Sequence, residues 1–156
     1  MFYNIKYGMK NIVKWLPVIW KDRDWDSYHI FKLLHFKLSN MEKLFRVHGN
    51  HVESSKDADD IKICINLLNR ILKDEYGEMV FKNHDEKWGE LKFSWEVTDK
   101  KEYMGLNIIR ENVTKKDEIQ ERKEFKELIK REEILKKQDI NYLFNFLAKH
   151  IRNWWD

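Results

Sequence analysis

The 156-residue chain carries 30 basic and 27 acidic side chains, so its formal charge is only +3. A balance this close to neutral argues against a duplex-DNA-binding protein, which would need a strongly basic surface. Charged residues make up 37% of the chain and hydrophobic residues 42%, with five glycines and one proline. This composition favours a single, mainly α-helical domain that is large enough to bury its own core.

Cysteine use and the N-terminal segment bear on the cellular compartment. Cys64 is the only cysteine, which excludes an intrachain disulfide and fits a reducing compartment. Lysines interrupt the apolar residues near the N-terminus, and neither a signal-peptide cleavage site nor a membrane-spanning run follows. We therefore expect a cytoplasmic protein with no membrane partner.

The first predicted helix runs from residue 4 to about residue 16. Its apolar side chains fall on one face, and Lys6, Lys10 and Lys14 fall on another. Pro17 should end or kink this helix. A basic amphipathic helix can lie on an anionic membrane, but the apolar face is short for that role, so we expect it to pack on the protein's own core.

Two longer helices are predicted next. Asp24 or Asp26 can cap the first of them, which continues to about residue 47, and Ser54 can cap the second. The turn at residues 48–51 should join them as an antiparallel hairpin. Apolar residues continue on one face of the second helix as far as Tyr76, and this predicted helix ends in the acidic, aromatic string of residues 84–90.

The remaining elements are a small β-hairpin and two helices. Residues 91–97 alternate between apolar and polar side chains, which is the period of a half-buried strand, and residues 106–109 are a weaker second strand after a turn at 99–103. The charged segment 113–137 predicts a solvated helix that could protrude and contact a partner. Asp139 should cap a last helix. The expected fold is mainly α, with an antiparallel helical hairpin core, additional helices and a small β-hairpin.

Carboxylates around residues 75–99 suggest a metal-dependent hydrolase. Glu75 and Glu78, followed by Glu96 and Asp99, resemble the Glu-x-x-Glu and Glu-x-x-Asp elements of all-helical nucleotide pyrophosphohydrolases of the MazG type. That resemblance implies Mg²⁺ held against a phosphate chain. With 27 acids in the chain such pairs also arise by chance. Under this alternative the catalytic residues would be Glu75, Glu78, Asp85 and Glu86.

Two histidine motifs suggest metal sites. His84-Asp85 resembles the central doublet of the HD phosphohydrolases, but nothing in the sequence selects the further ligands, and a helix cap is the simpler interpretation of the doublet. His48 and His51, with Asp57, could join a Zn²⁺ site, although a pair of loop histidines is the simpler interpretation. We predict no metal ligands and no cofactor outside the Mg²⁺ alternative.

Tryptophans beside basic residues are the stronger signal of binding. An indole can stack on a base while a neighbouring Lys or Arg meets phosphate, although tryptophans can equally fill the core and rim of a small helical protein. The chain has seven tryptophans. The predicted ligand-binding residues are Trp20, Lys21, Arg23, Trp25, His84, Lys87 and Trp88.

Residues 21–26, 56–72 and 84–90, together with the terminal 154–156, are similar to a family of small uncharacterised proteins of tailed bacteriophages. That resemblance implies a viral protein in the host cytoplasm and brings no activity with it. Small phage proteins often antagonise bacterial defence, either by binding a host protein or by sequestering a nucleotide signal.

The sequence therefore predicts a non-enzymatic binding protein for a nucleotide-type ligand. Two alternatives remain, a Mg²⁺-dependent nucleotide hydrolase and a protein–protein inhibitor of a host factor that uses the charged helix. The sequence leaves room for a homo-oligomer.

Overall fold

The computed structural model describes residues 2–49, 51–97 and 104–154. Five α-helices and two strands follow in the order α1 (Phe2–Ile19), α2 (His29–His48), α3 (Ser54–Lys73), α4 (Tyr76–Trp88), β1 (Leu91–Val97), β2 (Met104–Arg110) and α5 (Glu118–His150). A short 3₁₀ turn, Ile151–Asn153, follows α5. The predicted mainly α fold with a small β-hairpin is confirmed.

The chain forms two compact units, one of Met1–Asp74 with Gln138–Asp156 and one of Glu75–Lys137. Helix α5 contributes residues 118–137 to the second unit and residues 138–150 to the first. The expectation of one domain stays a prediction.

The core of the first unit is the predicted antiparallel hairpin of α2 and α3. Leu38 and Phe45 of α2 and the apolar stripe of α3 are buried together with Leu143 and Leu147 of α5. The turn between α2 and α3 is tight at Gly49, where a Cβ would collide with the side chain of Ser54. The hairpin therefore depends on close approach of the chain at this glycine.

The predicted long helix of residues 54–90 is two helices. Helix α3 ends at Lys73, and Asp74 adopts a left-handed conformation with φ of 53°. This conformation stops a right-handed helix, and Asp is one of the few residues with a side chain that tolerates it. Helix α4 then begins at Tyr76.

The predicted helix caps differ from the observed ones. Ser54 is the first residue of α3 and Glu53 precedes it, with no side-chain hydrogen bond at the cap. Asp57 is buried and its carboxylate lies 2.9 Å from the ring Nε2 of His51. Asp26 does accept a hydrogen bond from the backbone N–H of Tyr28, at 3.1 Å, just before α2 begins.

Asp139 does not begin a helix, because α5 runs without a break through this position. Its side chain is buried in the first unit and accepts a 2.8 Å hydrogen bond from Arg70 of α3. An ion pair with a distant residue thus accounts for an aspartate that local preference alone assigns to a cap.

Helix α1 also departs from expectation. Pro17 lies inside the helix, which continues to Ile19. The apolar face that was expected to pack on the core is exposed along its length. Helix α1 contacts α2 instead through Trp15, whose ring centroid lies 4.8 Å from that of Phe36.

The two strands form the predicted hairpin. Strands β1 and β2 pair antiparallel, with Leu91 opposite Arg110 and Val97 opposite Met104. Strand β2 extends beyond the predicted residues 106–109 at both ends. The turn predicted at 99–103 lies outside the described residues. Across the ranges that the structure describes, no helix has both the length and the apolarity to cross a membrane.

Candidate functional site

The second unit contains a groove between α4 and the first part of α5. Aromatic contacts hold the two helices together: the ring of Phe125 lies 5.4 Å from that of Phe81 and 5.9 Å from that of His84. Phe125 is one of the few apolar residues in the charged segment, and through its half-buried ring that segment packs on α4.

The groove has a volume of about 640 Å³, within the range of small-molecule sites. Its wall combines cations, carboxylates, amides and two aliphatic side chains. The lining residues are Val80, Asn83, His84, Lys87, Gln120, Lys123, Glu124, Glu127, Leu128 and Arg131. Two of the predicted ligand-binding residues, His84 and Lys87, therefore meet in one cavity.

Glu124 is the most heavily bonded group of the groove. Its carboxylate accepts hydrogen bonds from the indole N–H of Trp88 at 2.7 Å, from Lys87 Nζ at 2.9 Å and from the amide of Gln120 at 2.8 Å. These donors, Trp88 first, lower the pKa of the Glu124 carboxyl to about 2. Glu124 therefore stays ionised, and its charge is compensated within the wall.

Trp88 is bonded to the groove residue Glu124 but does not itself line the groove. Its side chain is buried and its N–H is committed to Glu124. The ammonium of Lys87 lies over the ring, 4.3 Å from its centroid. A stacking role for Trp88 stays a prediction; in the described geometry, Lys87 and Trp88 together orient Glu124.

Arg110, at the end of β2, fixes the hairpin to α4 and α5. Its Nη1 donates to Asp85 at 2.6 Å, and its Nε lies 2.9 Å from a carboxylate oxygen of Glu121. The guanidinium carbon lies 5.4 Å from the centroid of the Phe125 ring. The Arg110 side chain is buried, so these two carboxylates are what compensate its charge.

His84 is a buried polar group at the edge of this network. Neither ring nitrogen has a hydrogen-bond partner among the described residues, and its Nε2 lies 3.9 Å from Glu121. A buried imidazole without a partner is costly unless something else satisfies it. His84 also lines the groove, but both ring nitrogens are shielded from solvent, so a bound molecule can supply that partner only if the ring turns towards it.

Two further cations, Lys123 and Arg131, line the groove. Lys123 and Arg131 form no ion pair with any other residue that the structure describes, whereas Lys87 is paired with Glu124, and Glu127 with Lys130. Lys123 and Arg131 are therefore available to an anion.

The other predicted ligand residues lie in the first unit. Trp20 and Trp25 are 75% and 84% exposed, at the end of α1 and in the connector to α2. Arg23 donates from Nη1 to the carbonyl oxygen of Asp22, at 2.7 Å. Lys21 is exposed beside them. Arg23 and Trp25 line a separate pocket of about 400 Å³ whose charged lining is mostly acidic, whereas Trp20 and Lys21 lie outside its lining. A ligand-binding role for these four residues stays a prediction.

The residues of the hydrolase alternative are dispersed. Glu75 precedes α4, while Glu78 and Glu86 are exposed on it, and Asp85 is paired with Arg110. Asp99 lies outside the described residues. In the part of the chain that the structure describes, no group of three or more His, Cys, Asp or Glu side chains is placed to hold a metal ion.

Sequence reasoning missed the α5 half of the groove. Gln120, Glu124, Leu128 and Arg131 follow one another at helical spacing, so they share one face of α5. This periodicity was available in the charged segment, but charge density alone made the segment look like a solvated helix. No protein-family model, curated protein or solved structure matches the chain.

Proposed function

We propose that this chain is a non-enzymatic binding protein that captures a nucleotide-type anion in the groove between α4 and α5. The observation that carries the proposal is the meeting of the partnerless His84 imidazole with two uncompensated cations, Lys123 and Arg131, in a cavity of about 640 Å³. Cations are suited to phosphate, and an imidazole can bond to a base or to a phosphate oxygen.

The remaining lining suits the rest of such a ligand. The amide of Asn83 can donate to and accept from the edge of a base, and Val80 and Leu128 supply apolar contact. Glu124 is held ionised on the wall and disfavours a second phosphate chain beside it. A ligand with an anionic group at one end and a polar ring at the other could therefore contact the cations with the first and Asn83, Val80 and Leu128 with the second.

The resemblance to small phage proteins extends the proposal to a biological role. A protein that holds a nucleotide without converting it can lower the concentration of a host defence signal, and turnover is unnecessary for that effect. The Mg²⁺-dependent hydrolase and the host-factor inhibitor remain hypotheses without a specific observation in their favour.

Isothermal titration calorimetry tests the proposal with ATP, ADP-ribose and a cyclic dinucleotide as probes and with adenosine as the phosphate-free control. At least one phosphate-bearing probe should bind, and adenosine should bind much more weakly. Lys123→Glu and Arg131→Glu should each weaken binding about tenfold or more, because a charge-assisted hydrogen bond is lost and a repulsion is introduced.

Two further variants make the test specific. Lys126→Glu makes the same charge change at an exposed position of α5 outside the groove lining and should leave affinity nearly unchanged. His84→Phe should weaken binding without loss of stability, because it removes a buried group that lacks a protein partner. Absence of heat with every probe, or equal losses in Lys126→Glu and Lys123→Glu, would contradict the proposal.

A further inference from the structure

Helix α1 presents three different faces. Side chains advance by about 100° per residue in an α-helix, so Trp15 and Val18 share the face that is half-buried in the first unit. Lys6, Lys10 and Lys14 form a second, exposed row at i, i+4 spacing. The third face is apolar.

The apolar face is exposed over most of the helix. It is continuous for about 22 Å at 1.5 Å per residue, and Val13 near its middle is 71% exposed. Its members are Ile5, Met9, Ile12, Val13, Leu16, Ile19 and Trp20. Exposed apolar surface of this extent on a folded protein marks a contact with something else.

The charge along α1 restricts what that contact can be. Acidic residues number 27 in the chain, yet none lies between Phe2 and Lys21, while this segment holds four lysines. The lysine row borders the apolar face directly, since Lys6 and Lys10 follow Ile5 and Met9 in the sequence. A partner must therefore accept apolar side chains and carry negative charge beside them.

We propose that α1 is an interfacial helix that binds an anionic lipid surface, with its apolar face among the acyl chains and its lysines at the headgroups. An exposed apolar face, a bordering lysine row and an exposed tryptophan are the features of helices that lie in the plane of a membrane interface. This peripheral contact differs from a membrane span and involves none of the groove residues. It also differs from the expectation of no membrane partner, which assumed a helix that ends near residue 16, whereas α1 continues to Ile19 and its exposed apolar face is longer.

The alternatives fit the charge less well. Two copies of the chain that met through α1 would bring two lysine rows together with no carboxylate on either helix. A protein partner with an acidic rim would match the lysines but would also need an apolar groove along the whole of the exposed face. A bilayer of anionic lipid offers negative charge and an apolar interior at every point of its surface.

Vesicle flotation tests the inference with the full chain. Vesicles of phosphatidylcholine with about 30% phosphatidylglycerol should carry the protein, and pure phosphatidylcholine vesicles should carry little. Raised salt should weaken binding, because it screens the lysines. The variant K6E/K10E/K14E should lose about 100-fold or more in partition, since each lysine at an anionic surface contributes roughly a factor of five.

Controls separate lipid insertion from non-specific charge attraction. K115E/K116E/K126E makes the same charge change at exposed positions outside α1 and should partition nearly as the natural chain does. Met9→Gln with Val13→Gln leaves every charge in place and removes apolar surface, so it should abolish binding if the face inserts. Circular dichroism should show this variant and K115E/K116E/K126E folded. Brominated lipid should quench tryptophan fluorescence, and less so in Trp20→Phe.

Three outcomes would overturn the inference. The first is failure of the natural chain to float with anionic vesicles, the result expected if α1 serves an acidic protein groove. The second is equal loss in the two triple variants. The third is a stable dimer in analytical ultracentrifugation that Met9→Gln with Val13→Gln dissociates, because the apolar face would then be occupied by a second copy.

Discussion

At the scale of single residues, the groove is organised by donors that converge on Glu124. Lys87 and Trp88 stand out in the sequence as an aromatic next to a cation, a pairing that suggests ligand contact. In the fold both donate to Glu124, which lies 37 residues after Lys87 and 36 residues after Trp88. The sequence therefore pointed to the segment that lies beside the groove, but only the folded structure shows that both side chains donate to Glu124.

Acid should remove the stability that the ionised Glu124 carboxylate contributes to the fold. The pKa of Glu124 is lowered from 4.5 to about 2 in the folded chain by its hydrogen bonds to Trp88, Lys87 and Gln120. Because the folded-state pKa is the lower one, the stabilisation is fully present above about pH 4.5 and is lost as the pH falls towards 2. Glu124→Gln should therefore be less stable than the natural chain at pH 7 and similar to it near pH 2.

Urea unfolding at several pH values measures this difference. Glu133→Gln, at an exposed position on the same helix, should match the natural chain throughout. A stability difference for Glu124→Gln that stays constant between pH 7 and pH 2 would show that the ionised carboxylate is not what stabilises the fold.

At the scale of elements, the spacing of apolar residues predicted the helices and strands better than the candidate capping residues predicted where the helices begin and end. The α2–α3 hairpin and the strand pair follow directly from apolar spacing and are confirmed. The break at Asp74 was missed because the apolar stripe continues to Tyr76 on the far side of it. The sequence predicted that a new helix begins at Asp139, whereas α5 continues through it. This was missed because the partner of Asp139 is Arg70, which lies 69 residues away in the sequence.

Alanine substitutions at two glycines, one in the α2–α3 turn and one on α1, should have opposite effects on stability. Gly49→Ala should destabilise the chain by about 1–3 kcal/mol, because the added methyl group collides with Ser54 and overpacks the turn. Gly8→Ala places the same methyl group in open space on α1 and should stabilise that helix by up to about 1 kcal/mol.

Thermal or urea unfolding of the two variants checks the prediction. If Gly49→Ala were as stable as the natural chain, the close approach between α2 and α3 at this turn would be wrong. If Gly8→Ala lost stability, the position on α1 would be covered by something other than solvent.

At the scale of the whole molecule, the two compact units offer different chemistry. The first has an apolar helix face with lysines beside it, and the second has a cavity with a partnerless histidine and uncompensated cations. The sequence placed predicted ligand-binding residues in both units. It could not assign the groove, because most of the lining residues come from α5, whose sequence is dominated by charged side chains.

The central claim is that a nucleotide-type anion binds in the groove of the second unit. Side-chain ¹H–¹⁵N spectra test it most directly, since the histidine ring nitrogens and the indole N–H groups report on both units in one titration. Addition of a phosphate-bearing nucleotide should shift the His84 and Trp88 signals and leave those of Trp20 and Trp25 unchanged. Shifts confined to Trp20 and Trp25, or none with any nucleotide, would contradict the account.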